Sequence, residues 1–141
     1  MTAWPPLERL LPQRGPALLL DEVVTADDVA MTCRVTIREG SAYARDGAVP
    51  AVVALEYMAQ AVGAWVGLGA YARAEPPRVG LLLGARDLVL HVDGFAPGDV
   101  IDVTVERTWT DGAAGTFRGA ATRAGALVAE ATLTVLLGAA S

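Results

Sequence analysis

The chain has 141 residues, of which 53% are hydrophobic and 19% charged, and its formal net charge is -5. This length suits a single domain covering residues 1–141, and the surplus of apolar residues indicates that some of them lie in a subunit interface. An acidic chain without a Lys/Arg cluster is not suited to nucleic acid or to an anionic membrane surface. Cys33 is the only cysteine, which excludes an internal disulfide and fits a reducing, cytoplasmic location.

The first part of the chain is predicted to hold two strands after a proline-rich start. Residues 1–14 lack a basic segment followed by an apolar one, so we expect no signal peptide. The apolar run ALLLDEVV predicts a first strand over residues 17–24. Residues 29–38 alternate with period two, which is typical of a half-buried strand. Its apolar face consists of Met31, Cys33, Val35 and Ile37.

A long apolar helix is predicted over residues 50–73, after a loop at 39–49. Pro50 suits the first helical position, because its φ is helical and its missing N–H would have no partner there. Glu56 and Gln60 are the polar exceptions, and their i,i+4 spacing places them on one face. Gly63 and Gly67 continue that face, so another backbone or a slender ligand could approach closely there.

Glu56 is the candidate catalytic residue. A carboxylate in an apolar interior must pair, accept hydrogen bonds or become protonated. No Lys or Arg lies within one helical turn, and the amide of Gln60 can donate to it. The alternative is a solvent-facing Glu56 on an amphipathic helix. The helical segment is long enough to span a membrane, and Gly63 and Gly67 have the GxxxG spacing of membrane helices. The two polar residues and the flanking strands argue against a membrane span.

The chain after the helix is predicted to form four strands. Pro76 and Pro77 end the helical segment. Gly84 indicates a bulge in the first of these strands, and Asp111 opens a hairpin loop. The predicted strands cover residues 80–92, 99–109, 116–123 and 126–137.

The order of these elements predicts an α+β protein. A single long apolar helix is fully covered only if the antiparallel sheet wraps around it, and this description matches the hotdog fold. Exposed edge strands and surplus apolar surface favour dimerisation through sheet edges.

Three segments also resemble a known family. LLPQRGPALLLDEV, VPAVVALEYMAQAVGAW and VGLLLGARDL with FAPGDVIDVTVE are similar to the 3-hydroxyacyl dehydratases of fatty acid synthesis, most of all to hotdog dehydratases of aryl polyene and related polyene pathways. The resemblance implies dehydration of a 3-hydroxyacyl chain to a trans-2-enoyl thioester. It also implies an acyl carrier protein as partner, whose phosphopantetheine carries the substrate, with no metal and no further cofactor.

The resemblance carries the family's helix carboxylate onto Glu56 but not its catalytic histidine. The family's HFP segment falls on Ala42, Tyr43 and Ala44, and the second histidine common in the family is Gln13 here. His91 is the only histidine, and we expect it at the surface or in an interface. Gln60 and Gln13 are expected to support Glu56. The residues expected near the acyl tunnel or the thioester are Ala42, Tyr43, Pro50, Gly63, Gly84 and Ala85.

Three functions remain open from the sequence. The chain is a dehydratase subunit whose hotdog partner supplies the histidine, a thioesterase that uses Glu56 on acyl-CoA or an acyl carrier protein, or a non-catalytic acyl-binding or structural dimer. Homodimer and heterodimer are both compatible with the pattern. Neither a nucleic acid nor a membrane is expected as a partner.

Overall fold

The computed structural model describes residues 4–76 and 80–137. Within them there is one α-helix, α1 (Ala54–Ala72), and short 3-10 turns lie at Leu7–Arg9, Gly15–Ala17 and Ala51–Val53. The strands are β1 (Glu22–Ala26), β2 (Ala30–Thr36), β3 (Val49–Pro50), β4 (Leu81–Leu90), β5 (Gly94–Phe95), β6 (Val100–Thr110), β7 (Ala114–Arg123) and β8 (Ala126–Leu136).

Six of these strands form one antiparallel sheet, and α1 packs across it. The strand order is β1-β2-β6-β7-β8-β4, while β3 pairs with β5 in a separate ribbon. The helix contacts β2, β6, β7 and β8. Gly119 in β7 makes room for the buried Met58, because a Cβ at Gly119 would lie 2.6 Å from Met58 Sδ. The predicted α+β arrangement of one long helix on an antiparallel sheet is confirmed.

The period-two pattern gives the correct inner face of the central strands. The four apolar residues predicted for one face of the second strand are all buried, three of them in β2 and Ile37 directly after it. Ile101, Val103 and Val105 in β6 are buried too. The bulge predicted near Gly84 is confirmed, because the pairing of β4 with β8 shifts register between Leu82 and Gly84. Strands β2 and β6 place their apolar residues under the helix.

The first predicted strand is wrong in its first half. Residues 15–17 form a 3-10 turn, and β1 begins only at Glu22. The reason is a side chain, since Leu19 N donates to Gln60 Oε1 at 2.9 Å and Gln60 Nε2 donates to Ala17 O at 2.7 Å. The side-chain amide of Gln60 therefore forms hydrogen bonds with backbone groups that would otherwise pair with a neighbouring strand.

The predicted place of Pro50 is also wrong. Pro50 lies in β3 opposite Gly94, with a φ of -57° and a ψ of 140°, so its backbone is extended rather than helical. A 3-10 turn then leads into α1. The segment Ala51–Ala72 is long and apolar enough to cross a membrane, but 56% of its most apolar stretch is buried inside the protein. That burial is typical of a core helix.

Strands β1 and β4 are the two edges of the sheet, and β4 is the more exposed of them. All ten of its residues are exposed in the single chain. Leu81 and Leu83 are 55% and 59% exposed. An apolar edge strand with free N–H and C=O groups is typical of a surface that pairs with another chain. Dimerisation itself stays a prediction.

Candidate active site

Glu56 and Gln60 lie one turn apart on α1, and the predicted hydrogen bond between them is confirmed. Gln60 Nε2 donates to Glu56 Oε1 at 3.2 Å. Gln60 is only 2% exposed, and the same amide holds Ala17 and Leu19. Both N–H groups of Gln60 are thus used, one on the carboxylate and one on the backbone of the neighbouring segment. Gln60 fixes Glu56 relative to the N-terminal part of the chain.

Glu56 is half-buried and lines a cavity of about 140 Å³. Gln13, Gln60 and Gly63 line the same cavity, and its apolar walls come from α1 and from β4 and β8. Among the described residues around it there is no Lys, Arg or His. The cavity therefore offers an acid held by an amide, without a cation and without an imidazole base.

Gly63 and Gly67 form a glycine stripe on α1, and the N-terminal segment packs against it. A Cβ at Gly67 would collide with the main chain of Leu10, and one at Gly63 would lie 2.9 Å from Leu11 Cδ2. A backbone thus approaches the helix at Gly67, as one of the two predicted alternatives requires. Gly63 contacts Leu11 and also lines the cavity, so the stripe seats residues 10–11 beside Glu56.

Gln13 follows directly from this seated segment. The Arg14 side chain closes the turn, since its Nη1 donates to Leu11 O at 2.6 Å and to Gln13 O at 2.8 Å. Gln13 Oε1 is buried, and no hydrogen-bond donor within residues 4–76 and 80–137 reaches it. The resemblance suggested only a supporting role for Gln13, whereas the structure places it in the cavity wall with Glu56.

Ala42 and Tyr43 do not line the Glu56 cavity of the same chain, and their expected place near the acyl chain stays a prediction. Ala42 lines a different pocket, of about 370 Å³, together with Tyr57 and Asp21. Tyr43 is 62% exposed and has a φ of +68°. The segment that corresponds to the family's histidine motif is therefore not in contact with this chain's own Glu56 cavity.

The remaining predicted positions lie in strands. Pro50 pairs with Gly94 in the small ribbon, away from the cavity lining. Gly84 and Ala85 lie in the exposed β4, farther along the strand than Leu81 and Leu82, which do line the cavity. Their expected roles beside a thioester stay predictions. Sequence reasoning missed Leu81 and Leu82, since their pattern is that of any apolar strand.

The described part of the chain brings no second titratable group to Glu56. His91 Nε2 lies 2.9 Å from Glu130 Oε2, and neither residue lines the cavity. Burial raises the pKa of Tyr57 to about 12, with a smaller contribution from the charge of Asp21. Burial also raises the pKa of the Cys33 thiol to about 12, so it is not a nucleophile near neutral pH. No group of three or more His, Cys, Asp or Glu among these residues could hold a metal ion.

The chain matches one family over nearly its whole length. Residues 5–139 match the ApeP-like family, described as ApeP dehydratase. Among solved structures, the dehydratase heterocomplex ApeI:P from Xenorhabdus doucetiae matches with a TM-score of 0.88 and 30% identity, covering 94% of this chain and 91% of that one. No curated protein sequence matches.

More distant structures share the fold alone. A hypothetical thioesterase with coenzyme A from Streptococcus pneumoniae has a TM-score of 0.65 at 18% identity, covering 85% of this chain and 90% of that one. Zebrafish thioesterase superfamily member 2 has a TM-score of 0.61 at 18% identity, covering 83% and 80%. Together with the closer match, they agree with the hotdog fold predicted from the order of the elements.

Proposed function

Because this chain belongs to the ApeP dehydratase family, we propose that it is one subunit of a heteromeric hotdog dehydratase. Its substrate is a 3-hydroxyacyl thioester on the phosphopantetheine of an acyl carrier protein, in a fatty acid, aryl polyene or polyketide pathway. The product is the trans-2-enoyl thioester. The observation that carries the proposal is an acid held in a cavity whose described lining contains no imidazole.

The reaction needs one acid and one base. Glu56, as the general acid, gives a proton to the 3-hydroxyl oxygen as the C3–O bond breaks and water leaves. A histidine imidazole of the partner subunit takes the proton from C2, and the electron pair of that C–H bond becomes the C2=C3 double bond. The thioester carbonyl acidifies the C2 proton, so the chemistry uses no additional cofactor.

This chain cannot supply the base from the described cavity. An amide such as Gln13 does not exchange a proton near neutral pH, and His91 is engaged with Glu130. A well-placed general base contributes about 10² to 10⁴-fold, so a homodimer would be nearly inactive. The match to a dehydratase heterocomplex at 30% identity supports a partner that is a second hotdog chain.

The partner would bind at the β4 edge. Leu81, Leu83 and the other apolar residues of β4 are exposed, and the strand has a free hydrogen-bonding side. A partner strand would extend the sheet there and remove this apolar surface from water. Leu81 and Leu82 also line the Glu56 cavity, so an interface at β4 would border the reacting atoms.

We propose that the complex works in the cytoplasm without a membrane or nucleic acid. Acyl carrier proteins are acidic, and the net charge of this chain is -5. Docking therefore requires a local basic patch, which either subunit of the complex could supply.

Reconstitution tests the proposal. Purifying the chain from its native host should recover a second hotdog chain that retains the HFP histidine, and only the pair should convert 3-hydroxyacyl thioester to enoyl thioester. Full dehydration by the chain alone would contradict the need for a partner. Release of free thiol from acyl-CoA by the chain alone would instead support the thioesterase alternative.

A further inference from the structure

The Glu56 cavity contains an oxygen whose hydrogen bond is missing. Both N–H groups of Gln60 are used, on Glu56 and on Ala17. Gln13 Oε1 is buried and without a donor in the described residues. A buried carbonyl oxygen without a partner is costly, and native proteins keep few of them. Gln13 itself lines the cavity, so a rotation of its side chain would bring this oxygen to a ligand that supplies the donor.

The position of Gln13 is fixed by the segment that carries it. Leu10 rests with its main chain on Gly67, and Leu11 packs on Gly63. Arg14 then ties the turn together through two hydrogen bonds to backbone oxygens. The Gln13 side chain therefore starts from a seated backbone rather than from a free loop. A ligand meets an acceptor on a backbone that is already ordered, which reduces the ordering cost of binding.

The chemistry of the lining narrows the ligand group. Gln13 Oε1 accepts a hydrogen bond, while Glu56 donates one in its proposed role as the acid of the reaction. A carbonyl could accept from Glu56 but could not donate to Gln13, and an ammonium group could donate but not accept. A hydroxyl does both. We propose that Gln13 Oε1 accepts the hydrogen bond of the substrate's 3-hydroxyl, an inference that rests on the function proposed above.

This contact has a consequence for the reaction. As the proton of Glu56 moves to the hydroxyl oxygen, that oxygen becomes the oxygen of departing water and a stronger donor. The hydrogen bond to Gln13 then strengthens in the transition state relative to the ground state, which is the condition for catalysis. The enoyl product has lost this donor, so Gln13 favours binding of the hydroxylated chain and release of the product. Gln13 is thus a residue for substrate recognition and not a proton carrier.

A comparison of two ligands tests this role in the full chain. The probes are 3-hydroxyoctanoyl and octanoyl pantetheine, each with an amide in place of the thioester so that neither is hydrolysed. By calorimetry, the wild-type chain should bind the hydroxylated probe about tenfold more tightly, the size expected for one hydrogen bond to a buried acceptor. Gln13→Met should bind the two probes about equally tightly, with its affinity for the octanoyl probe unchanged. Gln13→Glu keeps an acceptor oxygen and should keep the preference.

The outcomes separate the two proposals. If Gln13→Met binds both probes and keeps the tenfold preference, the role of Gln13 is wrong while the proposed function stands. If the wild-type chain binds neither probe, alone or assembled with its partner subunit, the proposed function fails and the inference fails with it. If it binds only in the assembled complex, the same comparison of variants is made there. Affinity for the octanoyl probe reports that the variant is folded. Should Gln13→Met not fold, Gln13→Leu removes the same oxygen with a smaller side chain and gives the same comparison.

Discussion

The two flanks of α1 carry different chemistry. On one flank, Glu56 is held by Gln60 and shares a cavity with Gln13. On the other flank, the pocket beside Ala42 contains Tyr57, and burial raises the pKa of its phenol to about 12. The acid flank keeps polar groups that fix a carboxylate, whereas the other flank lacks the imidazole expected there from the family resemblance. Under the proposed function, a single chain of this kind holds one half of an acid–base pair.

The largest expected effect comes from removing the acid. In the assembled enzyme, Glu56→Gln should lower kcat for dehydration by about 10² to 10⁴-fold, because an amide cannot donate the proton that the leaving hydroxyl needs. The substitution is nearly isosteric and should leave the melting temperature close to that of the wild type. Formation of the enoyl thioester, followed by its ultraviolet absorbance, gives the rate.

Glu39→Gln is the matched control for this experiment. Glu39 is exposed and lies on the Ala42 flank, outside the Glu56 cavity. It should keep wild-type activity. Equal rates for Glu56→Gln and wild type would remove the acid flank from the chemistry and end the contrast between the two flanks.

The seating of the N-terminal segment that carries Gln13 is expected to affect stability. Gly67→Ala should destabilise the fold by about 3 kcal/mol, because its Cβ meets the main chain of Leu10, which cannot rotate away. The same change two residues later, Gly69→Ala, places its Cβ at an ordinary 3.5 Å from Arg73 Nη1. It should stabilise the helix by up to about 1 kcal/mol. Urea unfolding of the two variants measures the difference.

A lower free energy of unfolding in Gly67→Ala and a higher one in Gly69→Ala would show that the N-terminal segment packs on the glycine stripe. If both variants are as stable as the wild type, residues 10–11 are not held at Gly67, and the placement of Gln13 beside Glu56 loses its support.

Much of the fold follows from the sequence because its rules are local. Alternation places Met31 and Ile101 on the inner faces of their strands, and the long apolar run gives α1. The error at residues 17–20 has a tertiary cause, since Gln60 takes the backbone groups of Ala17 and Leu19 from 41 to 43 residues away. No pattern within an apolar run shows that a distant amide will compete with a strand ladder.

The site was predictable only in part, for a related reason. Glu56 and Gln60 are visible as polar exceptions in an apolar helix, and their pairing follows from helical spacing. Gln13 reaches the cavity only because Leu10 and Leu11 dock on glycines more than 50 residues later. The glycine stripe showed that something would approach the helix, but it did not say which segment. Backbone docking of this kind depends on the closed tertiary structure.

A pH titration examines the chemistry of the Ala42 flank. The pKa of Tyr57 is raised from 10 to about 12 by burial, so below pH 10 both folded and unfolded states are neutral at this residue. Between pH 10 and 12 the unfolded state loses the proton first, and the folded state is destabilised. At pH 11.5 the wild type should have lost about 2 kcal/mol more stability than Tyr57→Phe, relative to pH 9.

Urea unfolding at the two pH values checks this, with Tyr71→Phe as a matched control because the Tyr71 ring is 43% exposed. Parallel losses in the wild type and in Tyr57→Phe would show that the phenol is not buried against the Ala42 pocket.

The smallest effect is expected from a substitution that restores a histidine to the Ala42 flank. Ala42→His places an imidazole in the loop where the family resemblance puts the base, yet the next residue, Tyr43, is exposed and in a left-handed conformation. A base works only when its direction is fixed by packing and hydrogen bonds, so the chain alone should gain less than about tenfold in dehydration rate. A rise of about 10²-fold or more, abolished by Glu56→Gln, would mean that this loop has kept the geometry for a base. The Ala42 flank would then lack only the imidazole side chain, and a homodimer would need only a histidine at position 42 to complete its acid–base pair.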